Sequence, residues 1–303
     1  MSEAVDWERT VFMLLAPDAL ARHLGGQIVD RVVDQGFQPM AWRVLWHRPT
    51  NLDAFHERNI TQVWKAYLYR LVDQLFDFGP TVALMVRDVR PDPRHPSHAR
   101  LRLAKGASDP ADASPGTIRA DLGSINVMLA LMHSSDTPAD SQRESAVFTD
   151  GGFEGGSGTG FGGAGDGPGG YDGSDPADLR TLLDLLSRSA PAERRGYPQV
   201  LAGLRARVLA LAWPELSDSA RRSAADLLAD DLSGLAAAGA GEKAAGLLAG
   251  GHPLAPILAA EFTPDRPGPD PVRVQDLLAV HGARLDPWER LVLATSRRFA
   301  PRR

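Results

Sequence analysis

Apolar positions recur along the first 150 residues with two alternating periods. Residues 9 to 15 hold an almost unbroken apolar run, Val11-Phe12-Met13-Leu14-Leu15, which predicts a buried strand. Pro17-Asp18 ends it and opens a helix. Leu20, Leu24, Ile28, Val32 and Val33 recur there at helical spacing, and Gly36 closes it. Met40 to Trp46 alternates, with Trp42, Val44 and Trp46 on one face, and predicts a second strand. Residues 51 to 77 read as a helix whose apolar side carries Trp64, Tyr67, Leu68, Leu71, Val72 and Leu75. Gly79-Pro80 breaks the chain, and Thr81 to Val86 predicts a third strand. A fourth apolar run, Ile125, Val127, Met128, Leu129, Leu131 and Met132, has β-branched members and no room for a long helix. It predicts a strand buried on both faces. The run ends in His133-Ser134-Ser135-Asp136, an imidazole at a strand exit. Thr137-Pro138-Ala139-Asp140 then reads as a helix start. This order of strands and helices gives an α+β fold with a ferredoxin-like antiparallel sheet and flanking helices.

The pattern then changes. Twelve of the twenty residues from Gly151 to Gly170 are glycine, which marks residues 151–173 as a linker between domains. Gly156-Ser157-Gly158-Thr159-Gly160 has the look of a nucleotide loop, but no strand precedes it and no helix follows directly. From Asp175-Pro176-Ala177-Asp178 onward only helical spacing is found. A helix starts there, with Leu179, Leu182, Leu183 and Leu186 at helical spacing, and further helices are expected at about 196–212, 217–236, 241–249, 253–261, 271–282 and 286–299. The chain is thus expected to hold a domain over 1–150, a linker over 151–173 and an all-α domain over 174–303. His252 and His281 in the last part read as surface or core residues. Asp92, His95 and His98 lie in a proline-rich stretch with no further ligand close by, so it reads as a solvated loop rather than a metal site.

Charge and composition narrow the function classes. The formal charge of −5 leaves no global basic field to attract nucleic acid. The chain has no cysteine, which excludes disulfides, thiolate metal sites and cysteine nucleophiles. No apolar run approaches the roughly 18 residues of a membrane span. The acidic start, Met1-Ser2-Glu3, lacks a signal pattern, so a cytoplasmic location is expected.

The run Asp109-Pro110-Ala111-Asp112-Ala113-Ser114-Pro115-Gly116-Thr117-Ile118-Arg119-Ala120-Asp121, followed by His133-Ser134-Ser135-Asp136, resembles the signature of the nucleoside diphosphate kinase family. Glu8 to Ala19, Gly26 to Arg31 and Gln35-Gly36-Phe37 agree with it in order, so the likeness spans roughly residues 7 to 148. The resemblance implies transfer of a γ-phosphate through a phosphohistidine at His133. Glu144, eleven residues on, would hold the ring, and Ser135 would belong to the same site. It also implies phosphate contacts from Arg102, Ser108 and Arg119, nucleoside tri- and diphosphates as substrates, Mg²⁺ bridging their phosphates, and self-association through this domain. Trp64 or Leu68 would stack on the base or else pack the core.

Three positions depart from the family. Ala16 stands where it has a phosphate-contacting lysine, Ala130 where it has an asparagine, and His56 near its tyrosine. Lys65, Lys105 and Arg22 are the candidates to compensate for the missing lysine. Two readings follow: a divergent phosphotransferase using His133, or a nucleotide-binding module whose helical domain binds a protein partner. Limited proteolysis is expected to cut first between Gly151 and Gly173; a chain resistant through that tract would contradict the linker.

Overall fold

The computed structural model describes residues 5–45, 66–147, 171–173, 175–189, 194–228 and 233–302. Trp46, His56, Trp64, Lys65 and the glycine tract up to Gly170 lie outside the described residues, as does the side chain of Leu68. Two compact units interleave along the sequence. The first is Met1–Ser124 with Ala130–Arg194, and the second is Ile125–Leu129 with Arg195–Arg303.

The first unit is built on one sheet. Its strands are β1 (Thr10–Leu15), β2 (Phe37–Leu45), β3 (Thr81–Asp88), β4 (Met132–Ser134) and β5 (Tyr171–Gly173), in the order β4-β1-β3-β2-β5. Every neighbouring pair is antiparallel. The first four strands have the ferredoxin-like arrangement. β1 is buried at all six positions, which is why its sequence is apolar without alternation. Val11, Met13 and Leu15 join Val82, Leu84, Val86, Trp42 and Val44 in one core. His133 pairs with Leu14, so it stands on the other side of the pleat from Met132 and Ser134. The register of β2 shifts between Pro39 and Ala41, where proline offers no N–H to the ladder.

The helices are α1 (Pro17–Ala21), α2 (Gly25–Asp34), α3 (Ala66–Phe76), α4 (Ser97–Lys105), α5 (Ile118–Asp121), α6 (Pro138–Val147) and α7 (Pro176–Ser189). The single helix expected over 17–35 is two, because His23 takes a φ of 57° between them. Thr137 closes the start of α6 as its spacing suggested: its Oγ accepts from Asp140 N at 3.1 Å and donates to Asp140 Oδ2 at 2.8 Å.

Two expectations are corrected. The apolar run from Ile125 is not a strand until Met132. Asn126 Oδ1 accepts from the N–H groups of Met128 and Leu129, both at 3.0 Å, and Ile125 N donates to Leu129 O at 2.9 Å. A local side-chain acceptor has displaced the ladder, although most of the apolar side chains remain buried. The second correction concerns residues 171–189. Tyr171–Gly173 is a strand on β2 rather than linker, and α7 belongs to the first unit rather than to the helical domain. Leu179 and Leu183 of α7 lie in the same core as Val11 and Ile28. A Cβ on Gly25 would come within 3.1 Å of Leu183 Cδ2 and 3.0 Å of Leu20 Cδ2, so glycine lets α2 start this close to α7.

The second unit holds α8 (Tyr197–Ala212), α9 (Asp218–Leu228), α10 (Ser233–Ala236), α11 (Ala240–Ala245), α12 (Ala255–Ala259), α13 (Pro271–Val280) and α14 (Pro287–Ser296). Asp286 and Glu289 form a full capping box at the start of α14. Arg205 sits fully buried in α8. It donates to Leu258 O at 3.0 Å, Leu235 O at 2.5 Å, Ala260 O at 2.8 Å and Glu261 Oε1 at 2.8 Å. One guanidinium thus ties α8 to the ends of α10 and α12, and saturates helix-end carbonyls that water cannot reach. Arg205→Met should take the guanidinium partner from the buried Glu261 carboxylate and cost about 3–5 kcal/mol of unfolding free energy. Denaturant unfolding measures it; a loss under about 1 kcal/mol would contradict the role.

Candidate active site

His133 leaves the edge strand β4 with its side chain 38% exposed. Its Nε2 lies 2.7 Å from Glu144 Oε2. The same carboxylate oxygen accepts from Ser135 Oγ at 2.7 Å, and Oε1 accepts from Arg143 Nη2 at 3.0 Å. Glu144 is brought there by α6, which starts one short turn after His133. That helix is tied to β1 by Phe12 N, which donates to Ser141 Oγ at 3.0 Å. Burial is the largest single influence on Glu144 and pushes its pKa up. The hydrogen bonds and charges of His133, Ser135 and Arg143 together outweigh it, and the net shift is downward. Glu144 is therefore an anion at neutral pH, fit to accept an imidazole N–H.

The signature loop folds around Asp121 and Arg119. Asp121 accepts from Gly116 N at 2.9 Å and from Arg31 Nη2 at 2.8 Å. Gly106, which ends α4 with a φ of 84°, lies against Thr117; a Cβ there would fall 2.4 Å from Thr117 Oγ1. Arg119 is buried, and four of its N–H donors have protein acceptors. They go to Ala130 O at 3.0 Å, Gly106 O at 3.0 Å, Ser108 Oγ at 2.8 Å and Met132 O at 2.5 Å. The expected phosphate clamp is thus turned inward: Arg119 bonds to Ser108 and to the backbone on either side of the signature loop. Burial lowers the Arg119 pKa to about 10, against the opposing charges of Asp18 and Asp136.

Arg102 is exposed on α4, and no hydrogen bond or ion pair engages its guanidinium among the described residues. Lys105, one turn on, is buried and donates to Ser134 O at 3.1 Å. His133, Glu144, Ser135, Lys105 and Arg119 thus meet around β4, with Arg102 on the adjoining helix. Trp64 lies outside the described residues, and Leu68 falls on α3 with its side chain undescribed. Asp92, His95 and His98 do not converge: His95 is exposed, whereas His98 is buried with Nε2 2.9 Å from Ser141 Oγ. Among the described residues no group of three His, Asp or Glu side chains forms a metal site.

Sequence reasoning missed Arg143 and Asp18. Arg143 carries a readable signal, the Asp140-x-x-Arg143 spacing of a helix pair, with 3.3 Å between their charged atoms. Asp18 carries none, because its partner is a backbone N–H 113 positions away. Asp18 is fully buried and accepts from Leu131 N at 3.0 Å, while Ala16 N donates to Leu131 O at 2.9 Å. Leu131 is held from both sides in a left-handed conformation, φ 70°, two residues before His133.

The nucleoside diphosphate kinase family model matches residues 8–151. A nucleoside diphosphate kinase of Archaeoglobus fulgidus is 33% identical over 144 residues, covering 46% of this chain and 85% of that protein. One from Halalkalibacterium halodurans is 30% identical over 143 residues, covering 47% and 89%. One from Thermobifida fusca is 30% identical over 141 residues, covering 46% and 96%. The chain belongs to the nucleoside diphosphate kinase family. The match ends at residue 151, and the Arg195–Arg303 part of the helical unit lies beyond it. Among the described residues no helix is long and apolar enough to cross a membrane.

Asp18 gives this kinase-like unit a pH signature. Burial pushes its pKa up from 3.8 to about 6, against the Leu131 N–H and the charges of Arg22 and Arg119. A folded pKa above the unfolded one means that the neutral acid stabilises the fold. That contribution is complete below about pH 4 and is lost as pH rises to 6. Asp18→Asn should flatten stability across that window and leave it equal or higher at pH 7, by up to roughly 3 kcal/mol. Thermal unfolding against pH checks this; a variant clearly less stable at pH 7 would show that the carboxylate is held as a favourable charge.

Proposed function

We propose that the chain is a divergent nucleoside diphosphate kinase that carries phosphoryl on His133. The observation that supports it most is the Nε2–Glu144 contact of 2.7 Å on a half-exposed imidazole. With the ring proton on Nε2, donated to Glu144, the reactive lone pair sits on Nδ1. Nδ1 would attack the γ-phosphorus, forming an N–P bond as the bond to the β-phosphate oxygen breaks. The nucleoside diphosphate would leave with those electrons, and a second diphosphate would reverse the step. Glu144 would offset the positive charge that the ring gains, with Ser135 and Arg143 fixing the carboxylate. Mg²⁺ would arrive on the nucleotide as part of the substrate and neutralise its phosphates. Arg102 would meet the phosphates from outside, while Arg119 would hold the backbone before His133.

The inward turn of Arg119, together with Ala16 and Ala130, favours a second reading: a module that binds nucleotide and transfers poorly. The purified protein, given γ-labelled Mg–ATP, distinguishes them. Acid-labile label on the protein, lost in His133→Ala and reduced roughly 10- to 100-fold in Glu144→Gln, is expected of the kinase. Nucleotide binding by calorimetry without label under any nucleotide tried would leave the binding module.

A further inference from the structure

Lys105 is 6% exposed at the last position of α4, and its ammonium donates to the Ser134 carbonyl at 3.1 Å. β4 is the edge strand of its sheet. His133 opposes Leu14, and Ser135 N donates to Phe12 O, so the polar groups of these residues turn toward β1. By the alternation of an antiparallel ladder, the Ser134 carbonyl turns away from β1, and Lys105 closes that open edge. An ammonium has three N–H donors. Among the described residues this one has a single neutral acceptor, and no carboxylate lies within ion-pair distance. A cation buried on so little is costly, and an apolar side chain would fill the place without that cost. The charge must therefore act on its surroundings. These are Arg102 on its own helix, Arg119 on α5, Asp136 just beyond β4, and Glu144 on α6.

We propose that Lys105 is a positioning residue for phosphotransfer. Through the Ser134 carbonyl its charge holds the free edge of the strand that carries His133 while the ring takes up and releases phosphoryl. This rests on the phosphohistidine reading above. Burial first, and then the charge of Arg119, push the Lys105 pKa down to about 8, with Asp136 and Glu144 opposing. The charge is thus present at neutral pH and lost just above it, and transfer should show an alkaline limb there.

Two variants of the full chain test this, with Mg–ATP as donor over about pH 6–10. Lys105→Met should lower kcat on the order of tenfold, with KM for ATP within about twofold and no limb near pH 8. Lys105→Arg keeps the charge and should restore kcat and remove the limb. The His133 ring, followed by NMR without nucleotide, is a readout independent of transfer. The wild-type ring should show a second titration step near pH 8 that both variants lack. If no variant transfers phosphate, the kinase reading fails while this step still decides the role of Lys105. A single-step wild-type ring unchanged by either variant, or a Lys105→Met protein with wild-type kcat and pH profile, overturns the proposal. If Lys105→Met does not fold, the wild-type and Lys105→Arg rings decide.

Discussion

The hydrogen bond between His133 Nε2 and the Glu144 carboxylate ties the end of a sheet to the middle of a helix. Both ends need positioning to a few tenths of an ångström, because a hydrogen bond of 2.7 Å tolerates little misplacement. β1 supplies the position of the histidine through its ladder to β4. It also supplies the position of the glutamate, through the Phe12 N–H to Ser141 in the helix. One fully buried apolar strand therefore sets both halves of the pair.

Around this pair the cations are used in an unusual way. Arg119 and Lys105 are buried and donate mainly to backbone carbonyls on the approach to and exit from His133: Ala130, Met132 and Ser134. Asp18 holds the N–H of Leu131 between them. Much of the polar chemistry near the site is thus spent on the shape of a short stretch of backbone. Arg205 does the same for the helical unit, where a guanidinium and Glu261 hold three helix-end carbonyls in place. In both units a buried guanidinium substitutes for the regular secondary structure that the local sequence does not supply.

Much of the fold was legible in the sequence because periodicity records burial. Val11 to Leu15, Thr81 to Val86 and the helix starts at Thr137 and Asp286 are local patterns, and they stand where their spacing put them. His133 and Glu144 were legible through the motif around them. What failed was decided at long range or by a single side chain. Asn126 bends an apolar run that spacing reads as a strand, and its own amide is anchored to Thr295, 169 residues away. α7 joins the sheet unit through Leu179 and Leu183, and no feature of its own leucine stripe says which core it enters. Arg119 shows the same limit at the site. Its place in the motif is plain in the sequence, but the direction of its donors depends on where Ala130 and Met132 turn their carbonyls.

Phosphotransfer by this pair depends on which ring nitrogen of His133 reacts. Phosphorylated protein, ¹⁵N-labelled at histidine, can be read by phosphorus–nitrogen correlation NMR. Phosphorus bonded to Nδ1 of His133, with the proton retained on Nε2, is the predicted result. Phosphorus on Nε2, or a stable phosphohistidine at any other position, would contradict the role given to Glu144.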